Sequence, residues 1–229
     1  MANKAETWLN KALDYQFKDA RLLEQALTHR SARGDNNERL EFLGDAVLDF
    51  VISEIIFRAF PMAHEGDLSR LRASLVKDTS LAALAADIGL GEHLTLGSGE
   101  RKTGGHRRES ILSDALEAIF GAVYLDTGFD AAAKVIATTF GDRLQNFPTI
   151  DSLRDPKTRL QEWLQARQMG LPEYELTEVT GKAHRQTFEV SCSVSGASSP
   201  THGIGSTRRN AEQESAEKML LNLMQESDS

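Results

Sequence analysis

The sequence contains a single cysteine, Cys192, so no disulfide can form within the chain, and a reducing cytosol is the expected location. Long apolar runs are also missing. The richest one, residues 47–57, is interrupted by Asp49, Ser53 and Glu54, which argues against a transmembrane helix. The first residues show no apolar core of a secretory signal. These absences predict a cytoplasmic protein with no membrane partner.

Basic residues are outnumbered by acidic ones, with 26 Lys and Arg against 34 Asp and Glu, for a formal net charge of −8. Taken alone, this balance argues against a nucleic-acid partner. However, a carboxylate-built metal site would carry part of the negative charge itself. Phosphate binding also depends on local clusters of Lys and Arg rather than on the whole-chain sum. A nucleic-acid partner therefore stays open.

The length of 229 residues favours two domains, and the patterning changes near residue 150. Residues 1–146 show the apolar periodicity of helices and little strand alternation, so they predict a mainly α domain. Pro148 and Pro156 lie in a polar stretch, and we place a linker at residues 147–154.

The remaining segment, residues 155–226, has a different pattern. A helix is expected over residues 157–167, followed by three strand-like runs and an amphipathic helix from about residue 207 to 224. The clearest strand signal is the alternation of Phe188, Val190, Cys192 and Val194. The order α-β-β-β-α predicts a small α+β domain.

Acidic residues recur at helical spacing in two apolar stretches of the first domain. Glu38, Glu41 and Asp45 are spaced i, i+3 and i+7, which puts them within an arc of roughly 60° on one helical face. Asp114 and Glu117 repeat the i, i+3 spacing in a second stretch. A carboxylate buried without a cation or proton is costly, and oxygen ligands suit Mg²⁺ or Mn²⁺.

Two other interpretations of these acids deserve weighing. They could line a solvent-facing stripe, but Arg39 is the one basic residue between Glu38 and Arg58, so local ion pairs cannot neutralise the cluster. A di-iron carboxylate site would need Glu-x-x-His motifs, and no histidine of the sequence follows a glutamate at that spacing. The spacing therefore predicts a face able to bind divalent metal.

Residues 38–48, ERLEFLGDAVL, resemble the signature of the ribonuclease III family. The resemblance extends to residues 27–31 (LTHRS), 65–72 (EGDLSRLR) and 107–118 (RRESILSDALEA). The C-terminal segment is similar to the double-stranded-RNA-binding domain of bacterial members. The resemblance thus covers nearly the whole chain. It implies a helical ribonuclease III-type nuclease fold followed by a double-stranded-RNA-binding fold.

The resemblance also implies roles for particular residues. Four acids match the family's Mg²⁺ ligands, namely Glu41, Asp45, Asp114 and Glu117. Glu38 and Glu65 match two further acids at the cleavage site, which join Asp45 and Glu117 as catalytic residues. Phe42 matches an aromatic residue that inserts into the partner subunit of a homodimer. The number of metal ions per site stays open, with two preferred during catalysis.

The implied reaction is hydrolysis of double-stranded RNA to 5′-phosphate and 3′-hydroxyl ends, with each subunit cutting one strand. Structured precursors of ribosomal, messenger and transfer RNA are the implied substrates. A non-catalytic protein that only binds double-stranded RNA is the alternative. The complete set of six acids favours the nuclease, because a binding protein gains nothing from anions placed beside phosphates.

Residues for RNA contact are expected in both domains. The first helix of the second domain is expected to contact the minor groove through Thr158, Gln161, Glu162 and Gln165, and the loop at 181–184 through His184. The start of the last helix is expected to bind phosphates through Ser206, Arg208 and Arg209. Lys182 departs from the proline that is usual in the family loop. In the first domain, residues 97–108 form a predicted flexible basic loop, in which Arg107 and Arg108 are expected to track the RNA backbone.

Overall fold

The computed structural model of the chain describes residues 4–149, 154–182 and 185–227. The chain divides into two compact units, Met1–Thr149 and Ile150–Ser229. The division falls inside the segment assigned to the linker, while the exact domain bounds at residues 146 and 155 stay a prediction. No helix in the described ranges is long and apolar enough to cross a bilayer.

The first unit is helical, as the apolar periodicity predicted. Its helices are α1 (Lys4–Leu13), α2 (Ala20–Ala26), α3 (Glu38–Ala59), α4 (Glu65–Val76), α5 (Asp78–Asp87), α6 (Ser98–Lys102), α7 (Glu109–Thr127) and α8 (Phe129–Phe140). Short 3₁₀ turns lie between α5 and α6 (Leu90–His93), between α6 and α7 (Gly105–Arg107) and after α8 (Gly141–Leu144).

Helix α7 lies at the centre of this unit. It packs against α3, α5 and α8 and buries side chains around most of its circumference: Ile111, Leu112, Ala115, Leu116, Ala118, Ile119, Phe120, Ala122 and Val123. Burial of each large apolar side chain contributes about 1.5–3 kcal/mol, so α7 anchors the unit. The helix ends at Thr127 because Gly128 takes a φ of +92°, which residues with a side chain rarely adopt.

The second unit has the predicted α-β-β-β-α order. Its elements are α9 (Pro156–Ala166), β1 (Glu173–Thr180), β2 (Thr187–Ser193), β3 (Thr201–Gly205) and α10 (Arg208–Ser227). The strands pair antiparallel in the order β1-β2-β3, and the register shifts between Leu176 and Glu178. Helix α9 begins at Pro156 because the Asp155 side chain accepts a hydrogen bond from the Lys157 amide.

The core of the second unit lies between its two helices and one face of the sheet. Cys192 and Val194 are both buried, as the period of two predicted. They meet Leu160 and Leu164 of α9 and apolar residues of α10, namely Ala216, Met219, Leu220 and Leu223. One face of α9 is thereby buried, and its opposite face is left to solvent.

Candidate active site

Two glycines allow α3 and α7 to cross in direct backbone contact. A Cβ added to Gly44 would overlap the carbonyl oxygen of Glu117, and one added to Gly121 would overlap the backbone of α3. Gly44 lies between Glu41 and Asp45 in the sequence. The crossing therefore brings the turn of α3 that carries these two acids against the backbone of Glu117.

Glu117 is surrounded by other carboxylates of this region. Burial, and then the negative charges of Asp45, Glu41 and Asp114, together raise the pKa of its carboxyl to about 8. Two acid pairs that are about 70 residues apart in the sequence therefore interact electrostatically in the fold.

The other three acids are shifted in the same direction. Burial raises the pKa of Glu41, and the charge of Asp114 adds to the shift. Burial and then Asp78 raise the pKa of Asp114, while burial and then Asp49 raise that of Asp45. All the shifts favour the protonated form, because burial and neighbouring carboxylates both disfavour the charged one.

Asp78 is a member of this acidic region that the sequence patterns do not single out. It is the first residue of α5, and its charge raises the pKa of both Asp114 and Glu117. An acid in the first turn of a helix is ordinarily explained by the helix dipole, so no local signal marks it. Its position near the cluster follows from the packing of α5 against α7.

Glu38 and Glu65 occupy different positions relative to the cluster. Glu38 is half-exposed, forms an ion pair with Arg30 at 3.4 Å, and contributes to the raised pKa of Glu41. Glu65 begins α4 and accepts a hydrogen bond of 2.8 Å from the Ser69 hydroxyl. Within the described ranges, no hydrogen bond or ion pair connects Glu65 to the four central acids.

The donor set is suited to a hard divalent cation, although the side chains are not in ligating positions. Within residues 4–149, 154–182 and 185–227, no group of three or more His, Cys, Asp or Glu side chains is arranged to hold a metal ion. The backbone crossing is nevertheless in place, and carboxylate side chains rotate readily about their χ angles. The carboxylates would therefore reach ligating positions by rotation of their side chains, while α3 and α7 stay in place.

The prediction of a flexible loop over residues 97–108 is wrong. The segment forms α6 and the 3₁₀ turn Gly105–Arg107. The Arg108 guanidinium lies 2.6 Å from Glu100, whose side chain is only 20% exposed, and Gly105 packs against the same side chain. This ion pair joins the two ends of the segment, whereas Arg107 is exposed to solvent.

The four residues expected to contact RNA from α9 share its solvent face. Thr158, Gln161, Glu162 and Gln165 are all exposed, opposite the buried Leu160 and Leu164. Glu162 also accepts a hydrogen bond of 3.1 Å from Arg154. Such a polar face suits contact with the 2′-hydroxyls in the minor groove of double-stranded RNA.

The start of α10 carries the exposed cations that the sequence predicted. Arg208 pairs with Glu212 at 2.9 Å, and Arg209 lies 3.6 Å from Asp155. Sequence patterns miss Lys157, which contacts the other oxygen of Glu212 at 2.7 Å and thus lies beside Arg208. The exposed Ser206 accepts a hydrogen bond from the Asn210 side chain. His184 lies outside the described residues.

Phe42 projects from α3 into solvent, with 80% of its surface exposed. It lines a cavity of about 590 Å³ together with Leu40, Leu43 and Leu125, the last of which is itself 54% exposed. A large aromatic side chain beside an apolar cavity marks a surface that is typical of protein association.

Comparison with known proteins identifies both units. The family model described as Ribonuclease-III-like matches residues 19–144, and the double-stranded RNA binding motif matches residues 156–223. A protein of Hahella chejuensis named Ribonuclease 3 is 56% identical over 94% of this chain and 95% of its own length. The Ribonuclease 3 of Pseudomonas aeruginosa is 54% identical over 94% of each chain.

The chain belongs to the ribonuclease III family. A crystal structure of the ribonuclease III nuclease domain from Campylobacter jejuni superposes with a TM-score of 0.60 at 45% identity, covering 64% of this chain and 100% of that one. A second structure of the same domain, with a TM-score of 0.59 at 46% identity over 61% of this chain and 98% of that one, is described as flexible in a region involved in dimer formation.

Family membership confirms the two folds and the enzyme class. The first unit is a ribonuclease III nuclease domain, and the second is a double-stranded-RNA-binding domain. The protein is a ribonuclease III-type endoribonuclease that acts on double-stranded RNA.

Proposed function

We propose that the chain is a Mg²⁺-dependent endoribonuclease whose cleavage site is the cluster Glu41, Asp45, Asp114 and Glu117. The α3–α7 crossing is the observation that supports it most, because it joins two distant acid pairs on one surface. Glu38 and Glu65 complete the proposed set, in which Asp45, Glu117, Glu38 and Glu65 are catalytic.

The proposed ligands provide only carboxylate oxygens, which Mg²⁺ prefers and Mn²⁺ also accepts. Burial and neighbouring carboxylates raise the pKa of all four acids, and a bound cation would favour their charged forms. When bound, Mg²⁺ would polarise the scissile phosphate and make a water a better nucleophile at neutral pH. The four acids would hold the ion, and the half-exposed Glu38 would border the RNA strand.

The double-stranded-RNA-binding domain would hold the duplex while the nuclease domain cuts it. Exposed polar residues of α9, together with His184, would contact the minor groove, and Ser206, Arg208 and Arg209 would contact phosphates. Arg107 and Arg108 would add phosphate contacts from the nuclease domain. We infer products with 5′-phosphate and 3′-hydroxyl ends, and ribosomal, messenger and transfer RNA precursors as substrates.

The enzyme would act as a homodimer in the cytoplasm. Phe42 would insert into the apolar cavity of a second copy, in keeping with its exposure beside a cavity of suitable volume. The ribonuclease III nuclease domain of Campylobacter jejuni is itself described with a region involved in dimer formation. Two cleavage sites in one dimer would allow each subunit to cut one strand.

The direct experiment incubates a long RNA duplex with the protein in Mg²⁺, in Mn²⁺ and in EDTA. We expect short duplexes with either metal and intact RNA in EDTA. Labelling by a 5′-kinase only after phosphatase treatment would identify a 5′-phosphate, and extension of untreated products by a poly(A) polymerase would identify a 3′-hydroxyl. Cleavage in EDTA would reject the metal requirement, and products with 3′-phosphates would reject the proposed chemistry.

A pair of variants tests the location of the site. Glu117→Gln keeps the size of the side chain and removes its charge, so it should bind the duplex in Mg²⁺ and fail to cut it. Glu92→Gln makes the same change at an exposed glutamate of the nuclease domain and should cut normally. Full cleavage by Glu117→Gln would contradict the assignment of this cluster.

A further inference from the structure

The segment that contains His29 is fixed beside the carboxylate cluster. Its backbone pairs with a second loop, since His29 N–H donates to Thr95 O at 3.1 Å and Thr95 N–H donates to Leu27 O at 2.9 Å. Burial and Asp78 raise the pKa of Asp114, and the charge of His29 opposes that shift. The Asn37 amide, at the start of α3, also donates to Thr28 O at 2.9 Å, so backbone hydrogen bonds hold the segment next to the helix that carries Glu41 and Asp45.

A chain of hydrogen bonds determines what each nitrogen of this imidazole can do. The Gly97 amide donates to Ser31 Oγ at 3.0 Å, so this oxygen already accepts one hydrogen bond. The Ser31 amide donates to His29 Nδ1 at 3.2 Å, and Ser31 Oγ lies 2.8 Å from the same nitrogen. A protonated Nδ1 would face the donating Ser31 amide, so both contacts are satisfied when Nδ1 is unprotonated and the Ser31 hydroxyl donates to it.

The amide donor on Nδ1 favours one tautomer of the neutral ring. A neutral imidazole carries one proton, and an accepting Nδ1 leaves that proton on Nε2. Within the part of the chain that the structure describes, Nε2 has no protein hydrogen-bond partner, and the side chain is partly exposed. A protonated Nε2 also has no lone pair to offer a metal ion, which argues against His29 as a ligand.

We propose that His29 is a substrate-contacting residue whose Nε2–H donates a hydrogen bond to a phosphate oxygen of the RNA strand at the carboxylate cluster, with Ser31 as its positioning residue. This inference rests on the proposed function of that cluster as the cleavage site. An RNA strand brings further negative charge to a region already rich in carboxylates. A fixed donor at its edge would offset part of that repulsion and orient the phosphate.

Two substitutions distinguish the ring nitrogens. The side-chain amide of glutamine reaches the position of Nε2, whereas that of asparagine reaches the position of Nδ1. The measurement is single-turnover cleavage of an RNA duplex by excess full-length protein in Mg²⁺. Because a hydrogen bond to a charged group is worth about 1.4 kcal/mol or more, His29→Asn should slow cleavage about tenfold or more, while His29→Gln should stay within about threefold of wild type.

Histidine NMR provides a readout that does not depend on cleavage. Long-range ¹H–¹⁵N correlation of the RNA-free protein should show the Nε2–H tautomer for His29. Ser31→Ala should raise the Nδ1–H fraction and slow cleavage, and Ser31→Thr, which keeps the hydroxyl, should restore both. His202→Asn, in the other domain, is the matched substitution that should leave cleavage unchanged.

The outcomes separate this inference from the proposed function. A wild-type protein that does not cut duplex RNA in Mg²⁺ would reject the cleavage site and the role of His29 with it, although the tautomer could still be observed. A wild-type protein that cuts, with Gln and Asn variants equally active or equally impaired, would reject only the role of His29. A dominant Nδ1–H tautomer would overturn the positioning by Ser31.

Discussion

Gly44 of α3 and Gly121 of α7 face each other so closely that a Cβ on either residue would lie 3.0 Å from the backbone nitrogen of the other. Such a crossing leaves no room for a side chain at either position. The contact fixes the separation of the helices on which the proposed ligands are carried. The geometry of the cluster therefore depends on two residues with no chemical role.

Gly121→Ala should separate the helices and abolish most cleavage. An added methyl group would overlap the backbone of α3, and overpacking of this kind costs about 1–3 kcal/mol of stability. We expect a lower melting temperature and a much reduced cleavage rate in the protein that remains folded. Gly99→Ala is the control, because nothing lies within 4 Å of a Cβ at that position. Equal activity of the two variants would contradict the role of the crossing.

The sequence could predict each pair of acids, but not that the two pairs lie close together in the fold. Helical spacing puts Glu41 and Asp45 on one face, and Asp114 and Glu117 on another, because helix geometry is local. The distance between the two faces depends on tertiary packing, which spacing does not report. The family resemblance provided that link, since it related both motifs to one known site.

Other residues of the site could not be predicted for the same reason. The packing of α5 on α7 brings Asp78 close enough for its negative charge to raise the pKa of Glu117. Lys157 joins Arg208 through a shared ion pair with Glu212, at a separation of about 50 residues. Composition predicted a flexible loop around Gly104 and Gly105, but the segment is largely helical, and an ion pair between Arg108 and Glu100 spans it. Composition does not reveal such pairs.

Lowering the pH should stabilise the metal-free protein through Glu117. The fold raises the pKa of its carboxyl from an ordinary value of 4.5 to about 8, so between these values the folded state holds more protons than the unfolded state. Stability from this group is therefore present below about pH 4.5 and is lost as the pH rises toward 8. In EDTA, the melting temperature of wild type should fall across this range more than that of Glu117→Gln.

Addition of Mg²⁺ provides the complementary measurement. A cation that binds only the folded state raises its stability, and it should do so most at high pH, where the carboxyls are deprotonated. Wild type should gain more from Mg²⁺ at pH 8 than at pH 5, and Glu117→Gln should gain less at either pH. An identical pH dependence of wild type and variant in EDTA would show that Glu117 titrates normally.

Phe42→Ala should weaken the proposed dimer. The phenyl ring is 80% exposed in the single chain, and burial of such a ring in a partner makes it a candidate hot spot. We expect the dimer dissociation constant, measured by sedimentation equilibrium, to rise about tenfold or more. Phe57→Ala removes a ring that is 69% exposed on the same helix, about 22 Å away along its axis, and should leave the dimer intact.

Removal of cations at the start of α10 should lower the salt dependence of RNA binding. Arg208 and Arg209 keep most of their side-chain surface exposed despite their ion pairs, so both remain accessible to phosphates. The double change to Gln should reduce the slope of log K against log salt by about 2, measured on a duplex in EDTA.

The control for that measurement is Arg58→Gln, which removes an equally exposed, equally paired arginine from the nuclease domain. It should leave the slope unchanged, because Arg58 belongs to no proposed RNA contact. A reduction of about 1 in the control, the same per arginine as in the double variant, would mean that overall charge, rather than the start of α10, attracts the RNA. The slope is the decisive quantity, because a loss of affinity at one salt concentration could also follow from partial unfolding, whereas the slope counts the cations displaced from phosphates.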